Sequence, residues 1–240
     1  GPSLSVRHQR LCRGLAVHDT HGQCLIHIYF ATSEDQLLGL GKPDTAGQEV
    51  HAAPIGNDAA MDVRPREVGP FIGDDGRPAT GWHAEFGDID NDGRSDLFIA
   101  KGNVDQMPSN AINDPNNLLI QQADGTFVEA ANEAGVASVA RSRGAALADL
   151  NADGLLDIVV VNRRVPMEIW RNVTQNTGHW AGIEPLQAGI NRNAVGAWVE
   201  LRTEAGTQSR EVTVGGGHAG GQALPLHFGL GAAETAEARV

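Results

Sequence analysis

A chain of 240 residues, with 41% hydrophobic and 20% charged side chains, has the length and composition of a folded protein with a substantial core. A formal charge of −12 and the lack of any basic run exclude a surface built for nucleic acid or an anionic membrane, since both need clustered Lys and Arg. Thirty glycines against 5% aromatics favour strands and tight turns over helices, no apolar run reaches membrane-span length, and two cysteines cannot form a paired-cysteine zinc cluster.

Taken in chain order, the first predicted element runs from Gly14 to Phe30. It aligns position for position with the segment starting at Gly144, but His21, Gln23 and His27 stand where acidic residues would be, and Cys24 replaces a turn glycine. Asp19 alone keeps its place, so a strand-loop-strand without a metal ion is expected there. Cys12 and Cys24 lie too far apart for a Cys-x-x-Cys redox pair, which leaves a disulfide or two buried thiols. Residues 40–81, rich in Gly, Pro, Asp and Ala, read as a long surface insertion.

Two stretches then align without gaps, Phe86–Ile99 and Leu147–Val160, 61 residues apart. Each is an apolar strand, an Asp/Asn-rich loop closed by a glycine, and a second apolar strand, the pattern of a β-repeat such as a propeller blade. After the first, Asn117–Ile120 and Thr126-Phe127 flank Asp124-Gly125, which predicts a hairpin; Met167–Arg171 is the matching strand one repeat later. Val128–Val136 reads as a short helix or a turn stopped by Gly135. From His179 onward, Ala197–Arg202 and Ser209–Val214 alternate as a hairpin around Glu204–Thr207, and Gly215-Gly216-Gly217-His218 and Phe228-Gly229-Leu230-Gly231 read as glycine turns. The expected units are 1–75, a degenerate repeat plus insertion; 76–135 and 136–178, one repeat each; and 179–240, a small β-rich module.

The two loops have the form Asp-x-Asp/Asn-x-Asp-Gly-x-x-Asp. Side chains at places one, three and five converge as the chain curls, the glycine allows the bend, and the ninth-place carboxylate closes the shell. Asp88, Asp90, Asp92 and Asp96 in the first loop, and Asp149, Asn151, Asp153 and Asp157 in the second, are the candidate ligands, with Arg94 and Leu155 offering backbone carbonyls. An all-oxygen shell suits Ca²⁺, which takes six to eight oxygens; Mg²⁺ prefers a small octahedron and keeps its waters, and transition metals would recruit His or Cys. Two bound ions are expected, which would bring the formal charge from −12 to −8. A catalytic reading finds no His-Glu-x-x-His pair and no Gly-x-Ser-x-Gly elbow. His218 and His227, beside glycine-rich segments, are read as turn or packing residues. Asn172-Val173-Thr174 is an N-glycosylation sequon, and no Arg-Gly-Asp occurs.

The acidic loops and the Asp-Gly-Thr-Phe phrase resemble the FG-GAP/VCBS repeats of integrin-type β-propellers. Asn191–Ala197, Gly215–His218 and Leu226–Gly231 resemble the ASPIC/UnbV region found in cartilage acidic protein relatives. The resemblance implies an all-β fold of propeller-type blades, partial or open, followed by a small β-rich module. It further implies a secreted or cell-surface protein whose loops bind Ca²⁺ and whose faces contact protein or glycan. Three repeats cannot close a ring of four to eight blades, and the sequence stops at Val240, where such modules continue into a Trp-Pro segment. A fragment, an open array and a unit completed by copies of itself all fit. Two functions are compatible with these features: a noncatalytic adhesion, binding or surface-assembly module, and a noncatalytic part of a larger exported hydrolase.

Overall fold

The computed structural model describes residues 81–102, 114–218, 220–223 and 225–240, and the backbone of Leu4–Arg7, Leu15–His18 and Cys24–Tyr29. The eroded loop between Asp19 and Gln23, Cys12, and residues 40–80 of the insertion expected over 40–81 lie outside the described residues; Gly81 opens a strand.

Among the described residues the chain is all-β, with four separate sheets, no closed barrel and no helix. Three early strands, β1 (Leu4–Arg7), β2 (Leu15–His18) and β3 (Cys24–Tyr29), precede the first repeat. That repeat is a four-stranded antiparallel sheet of β4 (Gly81–Gly87), β5 (Asp96–Lys101), β6 (Asn117–Gln121) and β7 (Phe127–Glu129), in sequential order. The second repeat forms a three-stranded sheet of β8 (Ser142–Ala148), β9 (Asp157–Asn162) and β10 (Glu168–Trp170). These are the strands that the two aligned segments predict, with the hairpin at Asp124-Gly125 present and Gly125 at φ 82°. Residues 131–135 form turns.

Alternation of apolar side chains buries one face of each repeat against the other. β8 packs across β4 and β5, and Phe98, Ala100, Leu118 and Ile120 meet Ala145, Leu147, Ile158, Val160 and Trp170 in one core. Each large side chain fully withdrawn from water contributes about 1.5–3 kcal/mol.

The remaining strands are β11 (His179–Gln187), β12 (Trp198–Thr203), β13 (Gly206–Glu211), β14 (Leu226–Gly231) and β15 (Thr235–Arg239). They form two sheets ordered β14-β11-β3-β2 and β1-β15-β12-β13. Ala181, Ile183, Phe228 and Leu230 from the first, and Val199, Leu201, Ala236 and Ala238 from the second, fill a second core. The expected strand-loop-strand near the N-terminus is present as β2 paired with β3, and β3 continues antiparallel onto β11. The N-terminal strands thus complete the C-terminal sheets.

One reading is corrected. Phe228-Gly229-Leu230-Gly231, expected as a turn, lies in strand β14, paired with β11 from Leu226 to Gly231. Glycine serves there as a residue with no side chain to obstruct a close neighbour, the usual reason for glycine inside a strand. The neighbour is the first acidic loop.

Candidate metal centre

Both loops fold in the same way. The fourth place of each adopts a left-handed backbone, Asn91 at φ 59° and Ala152 at φ 60°, and the sixth is Gly93 at φ 92° or Gly154 at φ 85°. The first aspartate then accepts two backbone N–H groups: Asp88 from Asp92 and Gly93 at 3.0 and 2.8 Å, Asp149 from Asp153 and Gly154 at the same distances. The ninth-place aspartate bridges strands. Asp96 accepts from Ile89 N at 2.8 Å and Gln121 N at 2.9 Å; Asp157 accepts from Leu150 N at 3.1 Å and Asn172 N at 2.8 Å.

Asp88, Asp90 and Asp96 each present a carboxylate oxygen within 4.8 Å of the others. Two oxygens bound to one Ca²⁺ at about 2.3–2.6 Å span at most about 5 Å, so this group fits a single hard cation. Asp88 and Asp96 are completely buried. Burial first, then the charges of Asp96, Asp90 and Asp92, pushes the Asp88 carboxyl well above its ordinary range. Asp96 is pushed up to about 7, by burial and then by Asp90, and Asp90 to about 6, by burial and then by Asp92. Each close carboxylate pair repels by roughly 4 kcal/mol at an effective dielectric of about 20. A bound cation removes that repulsion.

The expected ligand set divides on inspection. In the first loop the Asp92 carboxylate turns to its neighbour Arg94, accepting from the Arg94 backbone N at 2.8 Å and pairing with the guanidinium. In the second, Asp149 and Asp157 are raised chiefly by burial. Asp153 accepts from Asn151 Nδ2 at 2.8 Å and faces Arg171 at 3.3 Å, and these three carboxylates do not converge as tightly as the first set. Asn151 and Ala152 face solvent.

The first loop is covered by the C-terminal strands. A Cβ on Gly229 would fall on the Asp88 carboxylate, and one on Gly178 on the Asn91 carbonyl. Gly231 N donates to Asn91 O at 2.9 Å and Gly178 N to Asp90 O at 3.3 Å. The Asn91 side chain accepts from His227 Nε2–H at 2.7 Å and donates to Gly154 O at 2.9 Å, so it joins both loops to β14. His227 stacks on Trp180 at 5.6 Å, and burial, then Arg210, lowers its pKa to about 3, which keeps it a neutral donor. Trp180 in turn fills the space a Cβ on Gly154 would need. Arg210, on β13, sets its charge toward Asp88 and Asp96; burial lowers its pKa and those two carboxylates oppose the change. Its Nε is buried without a hydrogen-bond partner.

His218 and His227 have the packing roles that the sequence suggests. His218 lies against Trp82 at 4.8 Å, its backbone N–H donates to Trp82 O at 2.8 Å, and side chains at Gly216 and Gly217 would collide with His83. Asn172 departs from its sequon reading. It is fully buried, donates from Nδ2 to Ile89 O at 2.8 Å and Leu156 O at 3.2 Å, and accepts from Thr174 N and Oγ1. In the folded chain it is a strut between the repeats and is closed to a glycosyl donor. Asn91, Arg210, Gly229 and Asn172 carry no local signal of these roles, because every partner they use is remote in sequence.

Residues 88–160 match the family model for an FG-GAP-like repeat, and residues 187–240 that for ASPIC and UnbV. The two matches fall on the two aligned repeats and on the C-terminal β module, in the order the motifs imply. Among curated proteins it is similar to cartilage acidic protein 1 of Xenopus tropicalis, 37% identical over 91 residues, which is 38% of this chain and 12% of that protein. It is also similar to cartilage acidic protein 1 of Homo sapiens, 48% identical over 59 residues, 24% of this chain and 9% of that one. The match thus spans about a tenth of the length of these relatives. Among the described residues, no helix is long and apolar enough to cross a membrane.

Proposed function

We propose that the chain is a noncatalytic, extracellular calcium-binding β-repeat module that acts in adhesion, binding or surface assembly, with Ca²⁺ as a structural clip in each acidic loop. The observation that carries the reading is the buried trio Asp88, Asp90 and Asp96, whose oxygens converge within 4.8 Å while burial and mutual repulsion push their pKa values up. The like-folded second loop supports a second site. Asp88, Asp90, Asp92, Asp96 and the Arg94 carbonyl would hold the first ion, with Asp92 leaving Arg94 on loading. Asp149, Asn151, Asp153, Asp157 and the Leu155 carbonyl would hold the second. The ion supplies charge neutralisation and cross-linking, tying the end of one strand to the start of the next. In the first loop it would also fix the anchor on which β14 rests. Protein or glycan at the cell surface, and further copies of this chain, are the partners that fit exposed repeat faces; the similarity to cartilage acidic protein 1 supports an extracellular setting.

Titration calorimetry tests the reading. Two Ca²⁺ events per chain are expected, with Asp96→Asn removing one and Asp157→Asn the other. Absence of any calcium uptake at millimolar concentration would overturn it.

A further inference from the structure

We infer that two copies of this chain associate head to tail, the outer face of the second repeat in one copy seating on the outer face of the first repeat in the next. The inference deepens the assembly part of the proposed function and does not depend on calcium.

Superposing the repeats through their loops sets Phe86, Leu97 and Ile99 against Leu147, Ile158 and Val160, and Phe98 and Ala100 against Val159 and Val161. Strand pairing extends the match: Leu118 opposite Phe98 corresponds to Ile169 opposite Val159, and Leu119 opposite Leu97 to Trp170 opposite Ile158. Each repeat therefore has two faces of different composition. Within the chain, the Phe98–Ala100–Leu118 face of the first repeat packs on the Leu147–Ile158–Val160–Trp170 face of the second, and all seven side chains are buried. One unit's first type of face has met its neighbour's second type.

Among the described residues the same two types remain without a partner, one on each repeat. On the second repeat the counterparts of Phe98, Ala100 and Leu118 are Val159, half-buried, Val161, 47% exposed, and Ile169, 42% exposed. On the first repeat the counterparts of Leu147, Ile158, Val160 and Trp170 are Phe86, 56% exposed, with Leu97, Ile99 and Leu119 half-buried. Apolar residues stand at every one of these positions, where strands covered on one face only would carry alternating polar side chains. The intramolecular contact is thus a template for its own repetition, and a second copy supplies the missing partner for either face. Joining unlike faces makes the contact heterologous, so a single broken face stops growth at that end only.

That property sets the test. Sedimentation velocity of the full chain from about 1 to 200 μM, with and without Ca²⁺, should show concentration-dependent association. Phe86→Glu blocks one face and the pair Val161→Glu with Ile169→Glu blocks the other. Each variant alone should be monomeric, and an equimolar mixture should form a one-to-one complex, because one intact face of each type survives. Calcium calorimetry and the melting transition confirm that each variant is folded, and the milder Val161→Ala with Ile169→Ala replaces any that is not. A wild-type monomer throughout the range, variants that still associate alone, or a mixture that stays monomeric overturns the inference. Calcium uptake retained in those cases leaves the proposed function standing.

Discussion

Without calcium, the protein should lose stability as pH rises from about 4.5 to 7.5. Asp96 is completely buried, and its carboxyl is pushed from an ordinary 3.8 up to about 7, by burial and then by the Asp90 charge. Between those values the folded chain holds a proton that the unfolded chain has released, so proton linkage favours the fold at the acid end of the window and ceases to do so above about 7. A proton held over roughly three pH units corresponds to about 4 kcal/mol, an upper figure since the loop can relax. Asp90, pushed up to about 6, acts in the same direction, but the carboxylates repel one another and their contributions overlap. For a domain of this size 1 kcal/mol moves the melting temperature by about 2–4 °C, so the whole effect is up to roughly 8–16 °C. Scanning calorimetry in a chelator at pH 4.5, 6 and 7.5 reads it directly. In several millimolar Ca²⁺ the trend should flatten or invert, because the ion binds the deprotonated carboxylates. Asp96→Asn should lessen the slope in chelator, with Asp88 and Asp90, also pushed up, carrying what remains. A melting temperature that climbs with pH in the absence of calcium, or an unchanged slope in Asp96→Asn, would refute the reasoning.

Three further outcomes are expected. Gly229→Ala places a methyl on the Asp88 carboxylate and should cost about 2–4 kcal/mol in chemical denaturation while weakening only one of the two calcium events in calorimetry. Asn91→Ala removes the bonds to His227 and Gly154 and leaves Ala at φ 59°, so a loss of about 2–3 kcal/mol is expected, with faster amide exchange at Gly231. Asn172→Ala strips four hydrogen bonds from a buried strut between the repeats and should lower stability by about 2–4 kcal/mol, and in a secretory host the wild type should show no glycan at Asn172 by mass spectrometry of the folded protein.

The acidic loops were legible in the sequence because their chemistry is local. Five residues around Gly93 or Gly154 determine the turn, and the first carboxylate finds its donors four and five places along the chain. The strands beside them were legible by apolar alternation, and the hairpin through Asp124-Gly125 by its turn residues. What failed to show depends on distance along the chain. Phe228-Gly229-Leu230-Gly231 has the composition of a turn, and only its approach to Asp88, some 140 residues earlier in the chain, makes glycine a strand residue there. Asn172 has the local pattern of a glycan acceptor, yet the bond to Ile89 O buries it. Asp92, third in a regular series of aspartates, is diverted by Arg94 two places on, a competition that ligand spacing alone does not weigh.

The placement of β14 across one loop and not the other separates two sites that are alike in chemistry. The first loop has Asp88 and Asp96 sealed beneath Gly229 and its neighbours, whereas the second leaves Asn151 and Ala152 in water. On the proposed reading, an ion in the second loop would exchange with the medium at the rate of its own dissociation. One in the first would wait on the lifting of a strand that is itself part of a sandwich core, so its residence time would be set by a structural opening. Occupancy of the first loop would then record the calcium available while the chain was closing, and that of the second the calcium available at the moment. A single protein would thereby carry a permanent fastening and a responsive one, built from the same nine-residue phrase.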